Sequence, residues 1–309
     1  MYHMPLEIKR HILGYCNISD IAMLAQACMH LNLIARDYVQ HRLCLMTFSF
    51  FDNVDTLSTI LRSCDAVVSG SCALHLLLPA NDTAWFPSNL DIYVSCRFMT
   101  CITVLLEREG YQIVRHHFTE ASPYVSSSIH SVISFSNKHR LIDVVISNTA
   151  AAVSPIFEFH STTVMNFFSS DSIFCAYPTL TLHLMSLVNA EPIYFGPSEF
   201  KAMVALQKYA ARGWQLVVCQ DVHGSTGVCR SMPRSIADLS CLWINIANVK
   251  RVAVTPADVF ERLGIINLIW LLGGYVCGAW DPFMRGQSFV IEDKSLDLLG
   301  GGFIGSEEA

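Results

Sequence analysis

Val67-Val68-Ser69-Gly70-Ser71 is followed by Ala73-Leu74, by a loop holding Pro79 and Pro87, and by Ser88-Asn89-Leu90-Asp91-Ile92-Tyr93-Val94. A β-branched run ends in Gly-Ser, a short apolar helix follows, and a second strand opens on polar-apolar-acidic alternation. Alternate side chains of a strand share a face, so Asn89 and Asp91 point one way while Leu90 and Ile92 point into the core. An acidic side chain beside a Gly-Ser turn suits metal-assisted phosphate chemistry. Such a site wants two carboxylates on this strand, and the first of the two positions holds Asn89.

Working outward, residues 66–69 and 90–94 read as strands around a helix at 71–78. A helix is expected over 98–109, with Ile102, Leu105 and Leu106 inward and Gly110 as its stop. A strand at 111–114 follows. Two further strands, 129–135 and 141–146, flank Ser136-Asn137-Lys138-His139-Arg140, a polar hairpin turn that leaves Asp143 on the returning strand. A short helix at 155–159 precedes a β-branched and aromatic region at 162–168. The 200–212 helix ends at Gly213 and carries Lys208 and Arg212 four residues apart on one side. Helices are expected over 236–249 and 265–272, Pro256 opens 257–263, and the glycine-rich end from Leu299 is expected to fray. The fold class is thus α/β (α+β): a mixed sheet with flanking helices, preceded by a small all-helical unit. Three units are expected, at 1–45, 46–215 and 216–309.

The helical unit begins at Pro5-Leu6-Glu7-Ile8, with Pro5 tolerated in a first turn. Ile12-Leu13 follow, then Asn17 and Ile18-Ser19-Asp20-Ile21 with Leu24, where Ser19 can cap the second helix. This pattern resembles an F-box, a helical module that docks on a Skp-type adaptor of cullin ubiquitin ligases. It departs from the common pattern at Lys9, where a Trp is frequent, and at Tyr15-Cys16, where Leu often appears. The resemblance implies a Skp-type adaptor as partner and Pro5, Leu6, Ile8, Ile12 and Leu13 as the residues that would meet it.

Gly70-Ser71, Asn89-Leu90-Asp91 and Ile142-Asp143-Val144 together resemble the polymerase beta-like nucleotidyltransferase core. That superfamily carries Gly-Ser at the end of one strand, two acids around an apolar residue on the next, and a third acid later. The whole chain is also similar to fungal proteins that pair an F-box-like start with such a core. In an active member, Gly70 and Ser71 would bind the nucleotide. Asp91 and Asp143 would be catalytic, and both would hold Mg²⁺ with Asn89 as a third ligand. Asn89 offers one neutral oxygen and no charge, so two cations would face two carboxylates. The resemblance therefore implies a non-catalytic adaptor or recognition protein with a degenerate core and no cofactor. The alternative is a Mg²⁺-dependent nucleotidyltransferase or a sensor that binds a nucleoside triphosphate. In plainer structural terms, Asp91 and Asp143 are strand carboxylates paired with nearby bases.

Composition narrows the field. The 309 residues are 52% hydrophobic and 15% charged, enough to bury a large core. Net charge is −6, so nucleic acid is not a favoured partner. Mean hydropathy is positive. The longest apolar run, 264–280, contains Asn267 and Gly273-Gly274 and falls short of a membrane span. The N-terminus lacks a basic leader with an apolar stretch behind it, and the expected location is cytoplasmic or nuclear. Twelve cysteines without framework spacing read as reduced thiols, several on apolar helical faces (Cys28, Cys101). Cys219, His223, Cys229 and Cys241 lack the paired spacing of a closed zinc site. Neighbouring His116 and His117 point to opposite faces of a strand. Lys201, Lys208 and Arg212 are candidate phosphate contacts or simply a solvated helix face.

Overall fold

The computed structural model describes residues 4–118, 128–138, 140–189, 199–217, 232–247, 249–251, 259, 262–265, 268–275, 285–286 and 289–291. Helices α1 (Leu6–Leu13), α2 (Ile18–Ala27) and α3 (Met29–Phe48) open the chain. The cap of α2 is Asn17 rather than Ser19. Its side-chain oxygen accepts from the Ser19 and Asp20 amides, while the Asp20 carboxylate accepts from the Asn17 N–H. That reciprocal box satisfies donors that a lone serine would leave open. The third helix runs to Phe48, past the boundary expected at residue 45. Helix α4 (Thr56–Ser63) then leads into the sheet.

The first sheet strands and helices are β1 (Val67–Ser69), α5 (Gly70–Leu77), β2 (Leu90–Ser95), α6 (Met99–Arg108), β3 (Gln112–Phe118), β4 (Ile129–Asn137) and β5 (Arg140–Ser147). Next come α7 (Ser154–Phe157), β6 (Asn166–Phe168), β7 (Ser172–Cys175), α8 (Pro178–Thr181), β8 (Met185–Leu187), α9 (Glu199–Ala211) and β9 (Gln215–Val217). Strands β10 (Arg234–Ser235), β11 (Leu242–Asn245), β12 (Lys250–Arg251) and β13 (Ile269–Leu271) follow, then β14 (Gly274–Tyr275), β15 (Arg285–Gly286) and β16 (Phe289–Ile291). The main sheet has nine strands in the order β12-β11-β7-β6-β1-β2-β5-β4-β3. Only β2 and β5 run parallel within it; the crossover between them contains α6, β3 and β4.

Both faces of the central strands are buried, and successive residues divide between them, whereas edge strand β3 is exposed. Val68, Ile92, Val144, Ile173 and Ile244 join one apolar cluster, which also takes Leu13, Ile21, Tyr38, Leu57 and Ile102 from the helices. Val67, Tyr93, Val145, Phe174 and Trp243 join another, under α7 and Trp270. The N-terminal helices therefore share one core with the sheet. Among the described residues no helix is long and apolar enough to cross a membrane.

Two expected helices are strands. Within 236–249, residues Leu242–Asn245 form β11 and pair with β7. Every side chain of a strand buried on both faces can be apolar, so the run shows no alternation to read. Within 265–272, residues Ile269–Leu271 form β13, paired between β10 and β16. There Trp270 is buried and its two neighbours only half so, a period of two inside a run short enough to mimic a helix face. Cys101 is exposed rather than tucked into an apolar face. Residues 257 and 258, and everything from 292 on, lie outside the described residues.

Candidate functional site

Strand register lines up four polar side chains. Ser69 stands opposite Asp91 across β1 and β2, Asp91 opposite Asp143 across β2 and β5, and Ser134 opposite Asp143 across β5 and β4. Asn89 immediately precedes β2 and turns its amide onto the same spot. Asn89 Nδ2 donates to Asp91 Oδ1 at 2.7 Å and to Asp143 Oδ2 at 3.0 Å. The orientation follows from chemistry, since an amide oxygen facing two carboxylates would be repelled. Ser134 Oγ donates to the other Asp143 oxygen at 2.6 Å.

Gly70 follows β1 and opens α5 at φ +63°, a left-handed conformation that side chains disfavour. Space forbids a side chain as well, because a Cβ there would run into Asp91 Oδ2. Ser71 is buried in the first turn of α5. The Cys72 thiol donates to the Asn89 carbonyl at 3.4 Å, holding the start of β2 against this helix. Gly70, Asn89, Asp91 and Asp143 thus lie against one another, and Ser71 follows Gly70 in the first turn of α5.

Helix α9 supplies the positive charge. Lys208 acts on Asp91 and favours its ionised form. The Arg212 guanidinium stacks over the Trp85 ring, 4.0 Å from its centroid, and over Tyr209 at 5.6 Å. Arg212 Nη1, Trp214 Nε1 and His160 Nδ1 are buried without hydrogen-bond partners among the described residues. Lys201 is exposed on the same helix.

Burial, and after it the charge of Asp143, pushes the Asp91 carboxyl up to about 7, against the pull of Lys208 and of the Asn89 N–H. A carboxyl raised in the folded state holds its proton more tightly there than in the unfolded chain. Its stabilising contribution is complete below the ordinary carboxylate range near 3.8 and is lost as pH climbs through about 7. Denaturant midpoints should therefore fall between pH 5 and 8, and Asp91→Asn should flatten that slope. An equal slope in the variant would assign the titration elsewhere.

The donor set does not fit a two-cation centre. The third position presents N–H groups, and these fill the gap between the carboxylates where an ion would bridge them. Among the described residues no group of three or more His, Cys, Asp or Glu side chains is placed to hold a metal ion. Cys219, His223 and Cys229 lie outside the described residues. Cys241 is buried, and Arg234 Nη2 lies 3.3 Å from its sulfur. His116 and His117 are both exposed on β3.

A concavity of about 590 Å³ lies between α1, α3 and the segment before β2. Its cations are already engaged. Arg42, 7% exposed, donates to the carbonyls of His75, Leu76 and Leu78 at the end of α5. Arg10 pairs with Asp37 at 3.0 Å. His75 Nδ1 faces the Arg42 guanidinium, and burial with that charge lowers the imidazole to about 4, so the ring is neutral.

The surface residues of α1 divide. Leu6 is 41% exposed, Ile8 46% and Ile12 36%, with Pro5 also open, whereas Leu13 is wholly buried in the core. Ile8 and Ile12 sit one turn apart on one face, and Tyr15 extends it. Leu13 points across the helix and is no part of that surface.

Ser134 was legible from hairpin register, since a hairpin that pairs 137 with 140 also pairs 134 with 143. Arg42 had no such signal, because a cation in a helix that also carries Arg36 and Asp37 reads as solvent-facing. Comparison with protein-family models, with curated proteins and with solved structures returns no match.

Proposed function

We propose that this chain is a non-catalytic recognition protein. Its F-box-like start docks a Skp-type adaptor, and its nucleotidyltransferase-like core does not run two-metal chemistry. The observation that carries the reading is the Asn89 amide nitrogen, which hydrogen-bonds both Asp91 and Asp143. Nucleotidyl transfer needs cations shared by carboxylates at that point, and this pair is instead held by neutral donors. The outward set Leu6, Ile8 and Ile12 supports docking, because an exposed apolar helix face is what a hydrophobic groove receives.

Calorimetric titration of the purified chain with a Skp-type adaptor tests it. Micromolar or tighter association is expected, and Ile8→Asp with Ile12→Asp should weaken it at least 100-fold without shifting the melting temperature. Absence of association by the unaltered chain would remove the adaptor half of the reading.

Lys208, whose charge acts on Asp91 and on Cys72 next to the Gly70-Ser71 turn, favours a second reading, a core that binds a nucleoside triphosphate without consuming it. Binding with no release of pyrophosphate is the outcome that distinguishes it from an active transferase.

A further inference from the structure

Cys64 caps the C-terminus of α4, and Cys101 lies near the start of α6. Their sulfurs are 3.5 Å apart, with the Cys64 thiol donating to Cys101 Sγ. Cys64 is wholly buried and Cys101 is exposed. The neighbouring backbone holds the two thiols in place. Asp65 takes a φ of +44°, and its Oδ2 accepts from Arg97 Nη2 at 3.3 Å, which fastens the residue after Cys64 to the turn before α6. A disulfide has sulfurs about 2.05 Å apart, so closure asks for a movement of about 1.5 Å, within reach of side-chain rotation on a held backbone.

We propose that Cys64 and Cys101 form an oxidisable dithiol, a modification site that hydrogen peroxide converts to an intramolecular disulfide. The exposed Cys101 sulfur attacks the peroxide. It gains one oxygen as sulfenic acid, and the O–O bond breaks with release of one water. Cys64 sulfur then attacks the Cys101 sulfur; the S–O bond breaks, and the departing hydroxide takes up the Cys64 proton as a second water. Two thiols lose two electrons and two hydrogens, and one peroxide is reduced to two waters. The buried partner is shielded from external oxidant, and burial pushes its thiol up to about 12, so it stays protonated until Cys101 presents an electrophilic sulfur.

The test exposes the reduced full-length chain to hydrogen peroxide, alkylates the remaining thiols and maps the peptides. A cross-linked peptide joining Cys64 to Cys101 is expected, with its loss in Cys101→Ser. In Cys64→Ala, Cys101 should accumulate sulfenic acid that dimedone labels at least five-fold above the unaltered chain. Cys101→Ser should leave residue 64 unlabelled, and its unchanged far-ultraviolet spectrum checks the fold. Absence of the 64–101 cross-link, or a cross-link of either residue to another cysteine in its place, would overturn the proposal. So would Cys101 sulfinic acid formed while Cys64 remains alkylatable.

Discussion

Arg42→Met should lower the unfolding free energy by about 3–5 kcal/mol, one of the largest losses any single substitution in this chain can cause. The guanidinium is buried and hydrogen-bonds the carbonyls of His75, Leu76 and Leu78, the orphan acceptors at the end of α5. Methionine keeps much of the volume and none of the donors. Three buried carbonyls then lack partners, each costing about 1–3 kcal/mol, not fully additive. Arg42→Lys should recover less than half of the loss, because one ammonium cannot reproduce the planar fork. Urea unfolding measures both, and a change under 1 kcal/mol in Arg42→Met with an unchanged m-value would mean that water replaces the guanidinium.

Asn89→Asp is expected to give the second large effect, with opposite signs in two buffers. Without divalent cations a third carboxylate faces Asp91 and Asp143, and two N–H donors are lost. A loss of about 2–3 kcal/mol at pH 8 is expected, because like charges at this range strongly disfavour ionisation. With millimolar Mg²⁺ or Mn²⁺ the variant should regain most of it, as a ligand that binds only the folded state stabilises it. The unaltered chain should show little cation-dependent shift. An equal shift in both proteins would show that the amide is no barrier to a cation. Pyrophosphate release by the metal-loaded variant would add that the remaining layout is competent.

Much of the site was readable because strands announce themselves by period. Asn89 and Asp91 on one side, Leu90 and Ile92 on the other, and the hairpin carrying Asp143 all follow from alternation, and the structure pairs Asp91 with Asp143 in register. The direction of the Asn89 amide was not readable. As a metal ligand it would offer its oxygen, and only the nearness of both carboxylates turns its nitrogen inward. Strand β11 was hidden because Cys241, Leu242, Trp243 and Ile244 are all buried, which erases the polar phase that marks a strand. The aromatic wall of Trp85 and Trp214 was hidden for another reason. The two residues lie far apart in the chain and meet at a ring distance of 6.3 Å only after α9 packs.

The one parallel pairing within the main sheet, β2 with β5, carries a kinetic consequence. Asn89 and Asp143 are 54 residues apart, and joining ends over that length costs about 3–4 kcal/mol of chain entropy beyond a constant. The β4–β5 hairpin closes locally through Asn137 and Arg140 and needs no such loop. Asp143 therefore arrives beside Asp91 on a preassembled ribbon, after the early, short-range contacts are in place. Mutual repulsion of the carboxylates is felt only once that ribbon docks. Changes at the acid pair should thus register in how fast the native state opens and leave the rate of its formation nearly untouched.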